Sequence, residues 1–387
     1  MADKKVFITG ATGFVGRHLI RHLASAKKPR YKIFGSCYPE RPDHCIDLCA
    51  QFPALELLHL DLRSTESVAE AVKSVKPDWI FHLAAVSQVR LSWENRRETI
   101  ETNLMGTFDL YEALRQHSPK TRVLFISSSD VYGCLTPKGR VFREDDRGCA
   151  VSPYAFSKIS GEILSEFYAA AEKLDIVIAR SFPHTGPGQS ADFVCADWAR
   201  QIALIEKQPG SRSANRSSVI QVGNLAIRRD FSDVRDVIRA YRLLLEKGRG
   251  GEIYNVCSGR ASSLQTILDI LLSLSPAKIE VQVDPAKIRK TDIPYLAGSR
   301  RKISQETDWR PRFDLKKTLG DLLDDWRSQF GGEDPFQRAP GRPGSPASPS
   351  RAGHETPPCD QGGDSPLEPS RAVPRGKPRG ISTARKV

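Results

Sequence analysis

The chain contains no apolar run long enough to cross a bilayer and no secretory signal pattern. Met1-Ala2-Asp3-Lys4-Lys5 leads straight into a strand-like segment. A soluble, cytoplasmic protein without a membrane partner is therefore expected. Its 8 cysteines show no paired metal-ligand spacing; Cys45 and Cys49 come closest, and no histidine cluster joins them. Reduced cytosolic thiols are expected, and no metal centre. A net charge of +12 would suit nucleic acid, but the Lys and Arg are dispersed rather than gathered into an aromatic-laced stripe. Nucleic acid is not an expected partner. A polyanionic small molecule and a basic tail account for the excess charge.

What is present is a βαβα rhythm. Residues 6–9, 32–37, 55–60, 79–83, 123–127 and 176–180 are short, apolar or β-branched runs, as buried parallel strands should be. Amphipathic stretches at 15–26, 65–76, 97–117 and 154–173 alternate with them. The expected fold is α/β, a doubly wound parallel Rossmann-type sheet with helices on both faces. After Ser181 the rhythm breaks. Pro183-His184-Thr185-Gly186-Pro187-Gly188 reads as a loop without regular structure. A helix over 193–207 and an extended run over 219–222 follow, and 234–247 with 252–256 read as a return to the sheet. A dinucleotide-binding domain is expected over 1–181, completed by about 223–256. Residues 182–222 and 257–330 would form a smaller α/β substrate lobe, with a cleft between the two. From Gly331 the composition turns to Pro, Gly, Ser and Arg, so 331–387 reads as a disordered tail unable to offset its ordering entropy.

Ile8-Thr9-Gly10-Ala11-Thr12-Gly13-Phe14-Val15-Gly16 runs from a strand through a glycine turn into a helix. Gly10, Gly13 and Gly16 allow a tight turn, a close approach to phosphate and close helix–strand packing. Thr12, Phe14 and Val15 complete the expected pyrophosphate cradle. The second strand exits through Gly35-Ser36-Cys37-Tyr38-Pro39-Glu40-Arg41, with no acid at the position that would bind an unphosphorylated ribose. That absence and Arg41 favour NADP, with NADPH preferred and NADH possible; Glu40 argues the other way. Asp61-Leu62 suits the adenine amine, although an Asp after a strand is common on surfaces. Leu83-Ala84-Ala85 offers small side chains where the cofactor could pass.

In Tyr154-Ala155-Phe156-Ser157-Lys158 a phenol and an ammonium share one helix face. Reduction of a ketone needs a hydride and a proton for the developing alkoxide. Tyr154 can supply the proton if Lys158 lowers its pKa from the usual value of about 10. Lys158 could also hold the nicotinamide ribose. Ser127-Ser128-Ser129-Asp130-Val131-Tyr132-Gly133 follows a strand and offers a hydroxyl to orient the carbonyl.

With these motifs the chain resembles the extended short-chain dehydrogenase/reductase family of nucleotide-sugar enzymes from about residue 4 to about 328. The resemblance selects Ser128 as the catalytic serine and carries Tyr154 and Lys158 over as proton donor and partner. Three segments resemble the GDP-mannose branch: Ser92-Trp93-Glu94-Asn95 with Thr99-Ile100-Glu101-Thr102-Asn103 after it; His184-Thr185-Gly186-Pro187-Gly188-Gln189 leading to Asp197-Trp198-Ala199-Arg200-Gln201-Ile202; and Val222-Gly223-Asn224 through Arg229-Asp230-Phe231 to Asp236. The activity implied is reduction of the 4-keto group of GDP-4-keto-6-deoxy-D-mannose to GDP-D-rhamnose. Ser128, Ser129, Pro183, Asn224, Arg229 and Arg289 are the expected substrate contacts. Arg229 and Arg289 suit a diphosphate bidentately, though either alone would also read as a surface ion pair. Pro183 stands where the family usually has Asn, and Arg289-Lys290-Thr291-Asp292 replaces Arg-Pro-x-Asp.

The alternative is a GDP-mannose 4,6-dehydratase with tightly held NADP. Such enzymes carry Glu at the place of Asp130, and the shorter acid favours simple reduction. A cofactor-binding homologue without catalysis is a third reading, opposed by intact Ser128, Tyr154 and Lys158. The family also implies a homodimer paired through the helices at 97–117 and 154–173. Product stereochemistry at C4, rhamnose or talose, stays open.

Overall fold

The structure is a computed structural model that describes residues 3–26, 30–37, 48–133, 141–146, 148–208, 218–288 and 293–331. Glu40, Arg41, Arg289 and the tail beyond Gly331 lie outside the described residues.

Seven strands form one parallel sheet: β1 (Lys4–Thr9), β2 (Tyr31–Cys37), β3 (Leu55–His59), β4 (Trp79–His82), β5 (Arg122–Ser128), β7 (Asp175–Ser181) and β12 (Ile253–Val256). Their spatial order is β12-β7-β5-β4-β1-β2-β3. β6 (Val141–Phe142) and β8 to β11 fall between these strands in sequence. Alternation along each strand sends side chains to opposite faces. Val6 and Ile8 join a core with Leu19, Leu124, Val237 and Trp309. Phe7, Ile80 and Val123 join another with Val72, Leu114 and Tyr168. Both faces are thus covered by helices, as a parallel sheet requires. The chain winds outward from β1 to β3, then returns to β4 and winds the other way. The reversal between β1 and β4 opens a crevice at the strands' C-terminal ends, where this architecture binds ligands.

A smaller four-stranded sheet has the order β13-β10-β15-β6, built from β6, β10 (Arg228–Asp230), β13 (Ala261–Ser263) and β15 (Tyr295–Gly298). β9 (Ser218–Val222) pairs with β14 (Ile279–Val283). The helices Val194–Lys207, Leu264–Ser273 and Leu315–Gly331 enclose a separate core around Trp198, Ile267 and Leu322.

Three expectations need correction. His184–Thr185, expected to be irregular, forms β8 by pairing in parallel with β11 (Ser232–Asp233), a partner distant in sequence. The single helix expected over 97–117 is divided into Arg96–Ile100, a π turn at Glu101–Met105 and Gly106–His117. Cys149 is in a disulfide whose other cysteine lies outside the described residues, so the expectation of reduced thiols fails there. The turn after β5 packs so closely on this segment that a Cβ at Gly133 would sit 1.8 Å from the Cys149 carbonyl oxygen. Cys37, Cys49, Cys195 and Cys257 are free. Among the described residues, no helix is long and apolar enough to cross a membrane, and no group of three or more His, Cys, Asp or Glu side chains could hold a metal.

Candidate functional site

The glycine turn follows β1 at the crevice. Gly10 has φ 69°, and a Cβ there would lie 2.9 Å from Ala84 N. At Gly16 a Cβ would fall 2.4 Å from the Gly10 carbonyl oxygen, so the helix could not approach the turn as it does. Ser36 braces the turn: its hydroxyl accepts from Gly10 N–H at 2.9 Å. Helix Phe14–Ala24 starts at Gly13 with no side-chain cap, which leaves its first N–H groups for an anion. Thr12, Phe14 and Val15 are half-buried around the turn; just past β4, Leu83 and Ala84 lie against Gly10, and Ala85 is half-buried after them. Leu62 is buried beneath Gly106. Asp61 is engaged by Arg63, whose Nε and Nη2 donate to its two oxygens at 3.0 and 2.9 Å and hold its pKa down.

The catalytic candidates meet at the end of β5. Ser152 caps the helix Pro153–Ala171 by accepting from Ala155 N–H, and Pro153 starts its first turn. Gly161 lets this helix lie against the Phe125 ring, bringing Tyr154 and Lys158 over the strand. The Ser128 hydroxyl accepts from Asp130 N–H at 3.1 Å and lies close enough to the Tyr154 phenol to influence its ionisation. Lys158 Nζ donates to the Ile126 carbonyl at 2.8 Å and stands 6.0 Å from the Tyr154 ring centre.

The expected lowering of the Tyr154 pKa by Lys158 is not found. Burial raises it, the Asp130 charge adds to the rise, and only Ser128 opposes. A phenol held this way stays protonated at neutral pH, the form a proton donor needs. Lys158 is itself lowered from 10.5 to about 8 by burial, against the raising effect of Glu162.

A buried polar cluster beneath these residues had no place in the expected site. Arg180 pairs with Glu162 through two bonds of 2.9 and 2.8 Å, both side chains only 7% exposed. Ser127 donates to the same carboxylate, and Arg180 also reaches Tyr132, whose phenol donates to Asn255 at 2.6 Å. The sequence held two signals: Glu162 follows Lys158 by one helical turn, and Arg180 ends the otherwise apolar run 176–180.

Ser128, Ser129, Tyr154 and Lys158 are thus brought together. Pro183 lies beyond β7, half-buried, its carbonyl accepting from Ser232 N–H. The Asn224 side chain accepts from Ala226 N–H and so closes its own turn. Arg229 stands on β10, its guanidinium donating to the Arg228 and Ile293 carbonyls.

A doubly wound sheet, a glycine turn at its crevice and a Ser–Tyr–Lys group on the neighbouring strand and helix define an extended short-chain dehydrogenase/reductase. The family model for GDP-mannose 4,6 dehydratase matches residues 7–322. The chain is 32% identical over 327 residues to the GDP-6-deoxy-D-mannose reductase of Pseudomonas aeruginosa, covering 84% of this chain and 98% of that one. Two solved structures each superpose with a TM-score of 0.71 and cover 84% of this chain. RMD from Pseudomonas aeruginosa, complexed with NADPH, is 31% identical over 99% of its own length. A putative epimerase from Burkholderia cenocepacia is 34% identical over 98% of its length. The chain belongs to the GDP-mannose 4,6-dehydratase family.

Proposed function

We propose that this protein is an NADPH-dependent reductase that converts the 4-keto group of GDP-4-keto-6-deoxy-D-mannose to the alcohol of GDP-D-rhamnose. The observation that carries this reading is the buried Tyr154 phenol, kept protonated beside Ser128 at the end of β5 and one helical turn from Lys158. The similarity to a GDP-6-deoxy-D-mannose reductase over nearly its whole length supports the substrate. The uncapped helix at Gly13 and the close glycine turn fit a pyrophosphate. The end of β2 at Ser36 and Cys37 presents no carboxylate to repel a 2′-phosphate.

When bound, the nicotinamide supplies a hydride to C4. Ser128 orients the C4 oxygen, and Tyr154 gives it the proton, so one hydride and one proton convert C=O to CH–OH. The Lys158 ammonium, fixed by the Ile126 carbonyl, offsets the phenolate left behind. Arg229 and Arg289 would grip the diphosphate. Apolar side chains exposed on the catalytic helix and its neighbour, among them Phe156, Ile163, Phe167, Met105 and Phe108, support a homodimer through this face.

The second reading is a GDP-mannose 4,6-dehydratase: an acid, Asp130, is close enough to influence Tyr154, although it is shorter than the Glu such enzymes carry. One assay separates the two. The reductase oxidises one NADPH for each GDP-4-keto-6-deoxymannose and leaves GDP-mannose untouched. Consumption of GDP-mannose without added reductant would replace this proposal by the dehydratase.

A further inference from the structure

His82 closes β4, fully buried, with both ring nitrogens engaged. Nδ1 lies 2.9 Å from Thr9 Oγ1 and Nε2 lies 3.0 Å from Thr107 Oγ1. The two ends of this chain set the direction of its protons. Ala84 N–H donates to Thr9 Oγ1 at 3.1 Å, so the Thr9 hydroxyl is free to give its own proton to Nδ1. Thr107 Oγ1 donates to the Asn103 carbonyl at 2.7 Å, so it accepts from Nε2–H. The imidazole is therefore neutral with its proton on Nε2. Burial and the Lys158 charge lower its pKa to about 3 and keep it so.

Asn103 extends the chain. Its amide oxygen accepts from Val86 N–H at 2.8 Å, while its amide nitrogen donates to the Val86 carbonyl at 3.1 Å and to Ser157 Oγ at 3.0 Å. Ser157 in turn donates to the Tyr154 carbonyl at 2.8 Å. Asn103 occupies the π turn, in which Gly106 N–H bonds to the Glu101 carbonyl, and such turns often mark functional sites. One end of the chain is the 83–86 loop lying against Gly10, and the other is the backbone of the proton donor.

We propose that His82 is a positioning residue: through Thr9, Thr107 and Asn103 it sets the cofactor-lining loop at 83–86 in register with the helix that carries Tyr154 and Lys158. The inference rests on the nicotinamide reading of the crevice. The test compares His82→Leu, Thr107→Val, Thr107→Ser and the double variant His82→Leu/Thr107→Val. NADPH affinity is read from nicotinamide fluorescence and folding from thermal melts. His82→Leu and Thr107→Val should each weaken NADPH by about fivefold or more while remaining folded. Thr107→Ser, which keeps the hydroxyl, should bind within about twofold of the parent. The double variant should be no worse than the worse single, because either cut opens the same chain. Effects that multiply in the double variant, or a Thr107→Ser as weak as Thr107→Val, would overturn the proposal. If His82→Leu does not fold, the Thr107 pair decides alone. A parent protein that does not bind NADPH would remove the cofactor reading and the inference with it. A parent that binds, with variants unchanged, would remove the inference only.

Discussion

Gly161→Ala adds one methyl group where the catalytic helix crosses β5. Its Cβ would lie 2.4 Å from Phe125 Cζ and 3.1 and 3.2 Å from the two Cε atoms. Non-bonded carbons settle at about 3.5–4.0 Å, so ring and helix must part by roughly 1.2 Å. The ring has little room to yield: Phe125 is 1% exposed, with the His82 ring 6.2 Å away and the Lys158 ammonium 5.3 Å away. The helix must therefore lift, and Lys158 is three residues from the lifted point. Its 2.8 Å bond to the Ile126 carbonyl would stretch to about 4 Å, outside hydrogen-bond range. Overpacking costs about 1–3 kcal/mol. The better helix propensity of Ala offsets about 1 kcal/mol of that, for a net loss of about 0–2 kcal/mol. Misplacing reacting groups by about 1 Å slows turnover about a hundredfold. Activity should thus fall far more than stability. Urea unfolding and NADPH oxidation on the same preparation measure both, and Gly161→Ala/Phe125→Leu should regain much of the rate. Turnover within about threefold of the parent would refute the claim that this close approach places Lys158.

Tyr154→Phe should slow turnover by at least about a hundredfold and leave NADPH affinity nearly unchanged; a rate close to the parent's would remove Tyr154 as proton donor. The Lys158 pKa is lowered to about 8, so its charge is lost as pH rises through that value. kcat/KM, which reports the free enzyme, should accordingly decline above about pH 8, and a profile flat to pH 10 would contradict this. Arg180→Met leaves the Glu162 carboxylate buried without its partner and should destabilise the fold by about 3–5 kcal/mol in urea unfolding; a loss below about 1 kcal/mol would show that the cluster relaxes.

The central sheet was legible because its signals are local. β1, β2, β4, β5 and β7 are short apolar runs between amphipathic stretches, and the glycine turn announces itself by spacing. The Tyr154/Lys158 pair was legible for the same reason, since four residues on a helix fix a common face. The π turn at Glu101–Met105 was not. Its causes are the bonds of Asn103 to Val86 and Ser157, which no helical period contains. β8 escaped likewise, because two residues become a strand only when Ser232–Asp233 lies beside them. The ionisation of Tyr154 failed for a different reason. The sequence places a cation four residues away, but it is burial and the Asp130 charge that set the direction of the shift, and neither can be read from spacing.

The seventh strand has a consequence for synthesis. β7 is flanked by β5 and β12, yet β12 begins only at Ile253, long after β7 ends at Ser181. At about 5–20 residues per second, a ribosome needs roughly 4–14 s to make the intervening chain. Throughout that interval Asp175–Ser181 has one neighbour, and its other side is a row of unpaired backbone groups on a strand that ends up almost wholly buried. Such an edge is a template for pairing with another nascent copy. The chain thus passes through an adhesive stage set by the order in which its strands are made. A shortened form ending between residues 181 and 253 would keep that edge permanently.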